Sequence, residues 1–429
     1  MSGFIKKLTL TKILLAALSI RILLIPLSFH GDLNNNAFWG MYAEEFGLRG
    51  FYDWLNFRDH ARPDYPPLAM IMFFLIRVLW RIIFNFLWTL NVNISLFPSN
   101  LIPWFEKEGY LSLIKLPGVF CDLGIGYIIF KYLKGVKSES TAKIYSSLFL
   151  FNPAVIYLSA SWGQLESIVG FFGLVSALLI IKLKYISSFL SFFISVMIKV
   201  TMLPSSIILL GSALKTRIGK REVLTIGATF LGLMLVINYI FIGVRPVSWL
   251  IFTYVKKFIP GAVTLPFINL NAFNFWGILF GLSPYLDSKL FLGISLYYWA
   301  WTIAVAFFAL VFYKFIKGSE IFFSLLILFF AAFMFMPRVH ERYLYPVFVF
   351  FPIVLAYRKN LLRYFYLLSA IFFINLYHFW WFPRVNYLVY FLDLEIVERL
   401  LSVVNLTLFV LVLKNFLAEK NSLVKSKLR

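Results

Sequence analysis

The chain of 429 residues has a single cysteine, Cys121, so it holds no intramolecular disulfide and no cysteine-rich metal site. Charge is scarce too. Asp, Glu, Lys and Arg make up 14% of the residues, against roughly 25% in soluble domains. Acids are the rarer sign, 19 against 40 bases. Long polar intervals are few: 30–66, 91–110 and the weaker 244–271. They leave no room for a sizeable soluble domain. There is no P-loop, and no G-x-G-x-x-G follows a strand pattern, which disfavours nucleotide-driven chemistry and soluble nucleotide sugars. No His-x-x-His pair or carboxylate run has zinc spacing. A loosely held Mg or Mn at Asp32 and a second acid stays open.

What remains is 61% hydrophobic and 20% aromatic. Apolar runs of spanning length recur along the whole chain, which predicts an all-α, polytopic membrane bundle. The first run, Leu8 to Phe29, follows Lys6 and Lys7. It is too long for a signal-peptide core and lacks a small-residue cleavage site, so it reads as a retained first span. The net charge of +21 is not a nucleic-acid footprint. It sits in short clusters between apolar runs and at both ends, the pattern of cytoplasmic loops facing anionic lipid.

Placing each basic cluster inside threads the chain through about twelve spans: 9–29, 113–132, 143–160, 166–181, 185–199, 203–214, 223–243, 289–313, 320–337, 343–357, 364–381 and 395–414. Both termini are then cytoplasmic. One segment resists. Leu68 to Leu90 is long enough to span but carries Arg77 and Arg81. Counting it would put Lys131 to Lys137 outside. It is expected to be re-entrant, or paired with a partial segment near 93–105. The chain reads as one integral membrane domain, 1–429. Within it, 8–243 is a catalytic module holding the first outer loop 30–66, and 244–429 is a variable helical module.

The threading brings four polar constellations to the non-cytoplasmic side: 30–66, S-W-G-Q-L-E-S at 161–167, N-A-F-N-F-W at 271–276, and R-V-H-E-R-Y at 338–343. Lys199 ends its span there too. Convergence on one face predicts a single site. Asp32, just past the first span, is placed to take a proton from a hydroxyl, or to cap the helix that follows. Glu44 and Glu45 read as solvated charges of an amphipathic interfacial helix, 34–47, as do Asp53 and Asp59 in the rest of the loop. In P-D-Y-P-P-L, Asp64 and Tyr65 precede a proline-initiated helix and serve as an entry turn, a substrate contact or both. Trp162 fits an interfacial anchor, which leaves Gln164 and Glu166 unexplained. Asp122 lies inside an apolar helix, as a functional carboxylate or as the partner of Lys115 or Lys199. Arg338, His340 and Arg342 suit an anionic phosphate, since the guanidinium fork matches its oxygens.

An aspartate after the first span, then W-x-x-Y, D-Y-P-P-L, W-G-Q-x-[DE]-S, N-A-F-N and H-E-R-Y-x-x-P resembles the GT-C superfamily of membrane glycosyltransferases. The order is similar to bacterial and archaeal mannosyltransferases related to the second GPI mannosyltransferase. H-E-R-Y also resembles the V-H-E-K element of dolichyl-phosphate-glucose transferases. The resemblance runs from about Ile13 to Pro346. It implies a polyprenyl-phosphate sugar donor, a glycan or lipid-linked acceptor, and inverting transfer on the outer face of a prokaryotic plasma membrane. It implies Asp32 as general base, and Lys199, His340, Arg342 and Arg338 on the donor phosphate. Asp64, Tyr65, Trp39, Gln164, Glu166, Asn271 and Asn274 are the expected substrate contacts. The chain departs from the family where Asp32 is followed by Leu33 and Asn34 and has no adjacent acid, and where Glu166 replaces an expected Asp. The rival expectation is a transporter or flippase. It would need inverted repeats with matched broken helices, and the sequence shows none. A ligase-type membrane enzyme would place its richest outer loop late in the chain, whereas here it is first.

Overall fold

The computed structural model describes residues 2–53, 62–242, 254 and 265–419. Expectations placed on the Asp53 side chain, on Asp59, on 244–253 and on the basic tail from Lys420 lie outside those residues. After a short helix, Ser2–Lys7, the first long helix, α1 (Leu10–Leu24), is capped by Thr9, whose hydroxyl accepts from the Lys12 N–H at 3.3 Å. α2 (Gly31–Phe46) follows after a short turn. α3 (Pro67–Asn93) starts at a proline whose fixed φ suits a first helical turn. α4 (Tyr110–Val136) extends a helical run that begins at Leu101. α5 (Glu139–Leu150) breaks at Asn152-Pro153, and Pro153–Trp162 continues at an angle of 50°.

Then come α6 (Glu166–Ile181), α7 (Tyr185–Ile198), α8 (Ser206–Lys215), α9 (Lys220–Ile242), α10 (Leu296–Ile316), α11 (Ile321–Phe335), α12 (Tyr345–Leu355), α13 (Leu362–Trp380) and α14 (Glu395–Leu417). The β structure among the described residues is two short pairs. β1 (Asn269–Leu270) runs parallel to β4 (Val339–His340), and β2 (Leu290–Phe291) runs antiparallel to β3 (Ile294–Ser295).

Among the described residues, seven helices are long and apolar enough to cross a membrane, or eight if the bent pair 139–162 is one span. The chain is therefore a helical membrane protein. Several of the twelve expected spans form shorter apolar helices instead, including α6, α7 and α11. Each is shorter than the ~20 residues of an upright span. α11 shows what hydropathy does not resolve: Phe322 through Phe335 are all buried within the protein. A helix apolar on every side can be wrapped by other helices as readily as by lipid.

The awkward segment with Arg77 and Arg81 is one unbroken 27-residue helix, α3. α4 runs antiparallel to α1, since Arg21 meets Asp122 while the Ile25 and Ser28 carbonyls meet Lys115. α3 touches the part of that run before Lys115: Arg77 lies 5.0 Å from the Tyr110 ring centre, and Trp80 donates to the Phe105 carbonyl at 3.0 Å. So α3 and 101–114 form a hairpin reaching past the end of α1. Lys131 to Lys137 stay at the end where α1 begins. The arginines are neutralised locally. Glu44 accepts from Arg77 at 2.9 Å and is ion-paired with Arg81 at 2.6 Å, and its side chain is 7% exposed. Glu44 is thus a paired charge, not the solvated one expected; Glu45 is exposed.

Inside the bundle, Arg21 and Asp122 are fully buried and paired at 3.1 Å. Asp122 also accepts from Ser159 at 2.6 Å and Tyr345 at 2.8 Å, and Arg21 donates to the Leu150 carbonyl at 3.0 Å. The Asp122 partner is therefore Arg21, not Lys115 or Lys199. Breaking a buried pair leaves an uncompensated charge, which costs about 3–5 kcal/mol. Asp122→Ala should lower the thermal unfolding temperature in detergent sharply, and the double variant Arg21→Met, Asp122→Leu should recover most of the loss. Equal damage in single and double variants would contradict a simple pair.

Candidate functional site

The site grows from the end of α1. The Lys115 ammonium donates to the carbonyls of Ile25 (2.8 Å), Ser28 (2.5 Å) and Ser161 (2.7 Å). It thereby joins the exit of α1 to the end of the bent 153–162 helix. Two residues beyond Ser28, the His30 ring caps α2: its Nδ1 accepts the Asp32 backbone N–H at 3.0 Å. The ring lies among Trp162, Trp380 and Phe379, with centroids 4.6, 5.2 and 5.8 Å away. On the other strand of this junction, Gly163 turns the chain at φ 85°. A Cβ there would come within 2.9 Å of both Leu33 and Lys115, so both conformation and space require glycine. That turn aims Gln164, whose amide donates to Asp32 Oδ2 at 2.6 Å.

The facing wall carries the cations. Lys199 sits in extended backbone after α7, where the chain passes into a 3-10 turn, Val200–Ser205. Its ammonium bonds Glu166 Oε1 and lies over the rings of Tyr65 (5.2 Å) and Tyr343 (5.6 Å). Arg342 follows β4. Its Nη1 donates to Glu341 Oε1 at 2.7 Å, and its Nε is 3.8 Å from Glu166. Asp32, Asp64, Trp39, Tyr65, Lys199, His340, Arg342 and Tyr343 line one cavity of about 290 Å³, closed by Asn35, Asn36, Leu265 and Phe379. Beside it runs an apolar groove, also about 290 Å³, between 200–207, α10 and α11. Trp301, Phe308, Phe329, Phe333 and Met336 line it, and Tyr343 borders both spaces.

Charge within the cavity is set by burial and neighbours. Burial brings His30 down to about 4, with the nearby Arg342 acting the same way against Asp32. His30 is therefore neutral at pH 7, and its 3.5 Å approach to Asp32 is not an ion pair. Burial, then Arg342 and Lys199, hold His340 well below its usual range. Burial pushes Asp32 up, but the facing charges, Arg342 first, and the Gln164 hydrogen bond outweigh it and leave the carboxyl below its ordinary value. The resting site thus holds an ionised carboxylate opposite a lysine and an arginine, with two neutral imidazoles.

Most expected site residues meet here, in changed roles. Asp32, Asp64, Tyr65, Trp39, Lys199, His340 and Arg342 line the cavity. Gln164 and Glu166 stand behind it, holding Asp32 and Lys199. Three residues fall outside the lining. Arg338 adopts φ 59°, pairs with Asp287 at 2.7 Å and borders the apolar groove. Asn274 caps the short helix Phe275–Phe280, accepting from the Trp276 and Gly277 N–H groups. Asn271, at φ 64°, offers its carbonyl to Asn375 at 2.7 Å. The N-A-F-N segment directly follows β1, which pairs with β4 through Asn269–Val339 and Leu270–His340. Sequence reasoning placed Glu341 in the R-V-H-E-R-Y constellation without a role and did not single out Tyr343 or Phe379; Tyr343 lies within the H-E-R-Y motif, and Phe379 carries no local signal.

A carboxyl held below its usual range stabilises the fold above its unfolded pKa, and that contribution is lost as pH falls through the lower folded value. Wild type should therefore unfold at a higher temperature than Asp32→Asn, by a gap that is steady from about pH 8 to 5 and closes below about pH 4. The absence of any gap between pH 8 and 5 would show that Arg342 and Lys199 do not lower the pKa of this carboxyl. No protein-family model matches the chain, and no curated protein matches it.

Proposed function

We propose that the chain is an inverting glycosyltransferase of GT-C type, moving mannose or glucose from a polyprenyl-phosphate sugar to a hydroxyl of a glycan, lipid or protein acceptor. One observation carries this reading: a polar cavity with a carboxylate on one wall and two cations on the other adjoins an apolar groove. An amphiphile with an anionic head and an isoprenoid tail suits that pair of spaces. In this reading the cavity faces the non-cytoplasmic side of a prokaryotic plasma membrane, both termini are cytoplasmic, and the shorter helices complete about twelve crossings.

The reaction is a single displacement. The acceptor oxygen attacks the anomeric carbon, its proton passes to an Asp32 oxygen, and the bond from that carbon to the phosphate oxygen breaks. The electron pair leaves with the polyprenyl phosphate. Lys199 spends one N–H on Glu166 and Arg342 spends Nη1 on Glu341. Their remaining donors are disposed to receive the departing charge, which is where electrostatic stabilisation acts. Asp32 is a weak base while those cations face it. A bound phosphate would offset their charge and raise its basicity toward the range useful for proton transfer. Gln164 holds one Asp32 oxygen and leaves Oδ1 for the acceptor. Asp32 belongs to no group of three His, Cys, Asp or Glu ligands among the described residues, so the donor set there does not fit a protein-caged Mg or Mn. No step is routed through one.

With purified protein and polyprenyl-phosphate mannose or glucose, Asp32→Asn should lower kcat by about 10²–10⁴-fold. Arg342→Gln should move the acid limb of kcat/KM to higher pH, because removing a positive charge raises the Asp32 pKa. Full activity in Asp32→Asn would remove the base assignment. Absence of turnover with any polyprenyl-phosphate sugar would favour a transporter.

A further inference from the structure

A cluster of metal-ligating groups lies behind the aromatic wall of the cavity. His378, near the end of α13, Asp393, after the helix Asn386–Leu392, and Glu398, in the first turns of α14, each present a ligand atom, all within 4.8 Å of one another. The three come from separate elements. His378 and Glu398 are buried, and Asp393 is exposed, giving an ion a path from solvent. His378 Nε2 lies 3.1 Å from Glu398 Oε1. A neutral imidazole donating from Nε2 would satisfy that contact. It would leave the lone pair of Nδ1 buried, and Nδ1 has no hydrogen-bond partner. The opposite tautomer would set the Nε2 lone pair against a carboxylate. Asp393 brings a second carboxylate within 4.8 Å of the same ring.

We infer that His378, Asp393 and Glu398 bind one divalent transition-metal ion, of Zn²⁺ or Mn²⁺ type, that braces the end of α13 against α14. One imidazole and two carboxylates suit these ions, whereas Mg²⁺ prefers oxygen and water alone. The brace bears on the cavity. The two residues after His378 are Phe379, which stacks on Trp162 at 5.4 Å and lines the cavity, and Trp380, which meets His30 edge-on. His378 itself packs against Phe273 at 5.6 Å and Trp381 at 4.7 Å. Fixing His378 therefore fixes the wall that holds the cap of α2. The ion's role is structural, and the inference does not depend on what the cavity transfers or binds.

The test uses the full chain in detergent, purified on a tag without histidine, stripped with chelator and titrated separately with Zn²⁺, Mn²⁺ and Mg²⁺. One equivalent of Zn²⁺ or Mn²⁺ should bind and raise the unfolding temperature, with Mg²⁺ much weaker. Asp393→Asn, an exposed change that leaves the core intact, should weaken binding by about tenfold or more and abolish the thermal shift. His378→Ala should do the same, while Asp32→Asn should keep the full affinity and so exclude the polar cavity as the site. Failure of the wild type to bind either ion, unchanged binding in Asp393→Asn, or loss of binding in Asp32→Asn would each overturn the assignment.

Discussion

The geometry of the cavity depends on one buried lysine. Lys115 brings three carbonyls from two distant segments around a single ammonium. Carbonyls at helix ends have no intrahelical partners, and a lysine in an apolar helix has no water, so each satisfies the other. The consequences are positional. The α1 exit is fixed, which sets His30 and the start of α2, and Ser161 is fixed, which sets the Gly163 turn. Asp32 and Gln164 lie 132 positions apart in sequence, yet they meet at 2.6 Å because both segments hang from the same ammonium. The Arg21–Asp122 pair repeats the principle one level deeper, tying α1, α4, the bent helix and α12.

Apart from Lys115, which three carbonyls hold, the buried cations among the described residues each face an acid. Arg77 and Arg81 share Glu44, Lys199 holds Glu166, Arg342 holds Glu341 and Arg338 holds Asp287. In a medium of low dielectric an unpaired charge is expensive. The few acids in the chain are therefore concentrated where cations must be buried. This also explains the excess of bases: most of them sit in exposed loops and need no partner.

How much was legible in the sequence follows from this pairing. The apolar runs gave the helical membrane class. Local motifs gave Asp32, Lys199, His340 and Arg342, because a polar residue at the edge of an apolar run stands out. Pairings across the fold did not show. Glu166 and Lys199 are 33 positions apart, and Arg338 and Asp287 are 51 apart, with nothing local to link them. Arg338 was misplaced for a further reason: its positive φ breaks the strand alternation that would have set it beside His340. Asn274 looked like a site residue because asparagine is polar, but polarity also serves a helix N-cap. Hydropathy leaves the span count open, because it cannot distinguish a helix buried in protein, such as α11, from one in lipid.

The glutamates behind the cations also shape how the proposed site would discriminate. Without them Lys199 and Arg342 would be two bare charges, costly in the resting state and attractive to any anion. With them the two cations are already compensated, and an anion gains only from the donors left unspent. Binding then depends on geometry, on whether the anion reaches the remaining N–H groups of both residues at once, more than on net charge. The apolar groove adds a second requirement, since a soluble phosphate would place nothing against Trp301, Phe329 and Met336. Each buried methylene contributes about 0.8 kcal/mol, so a few isoprene units would outweigh the modest pull of a compensated cation pair. On this argument selectivity for a lipid-linked phosphate over a free one rests on the groove, and the paired glutamates are what prevent the head-group site from overriding it.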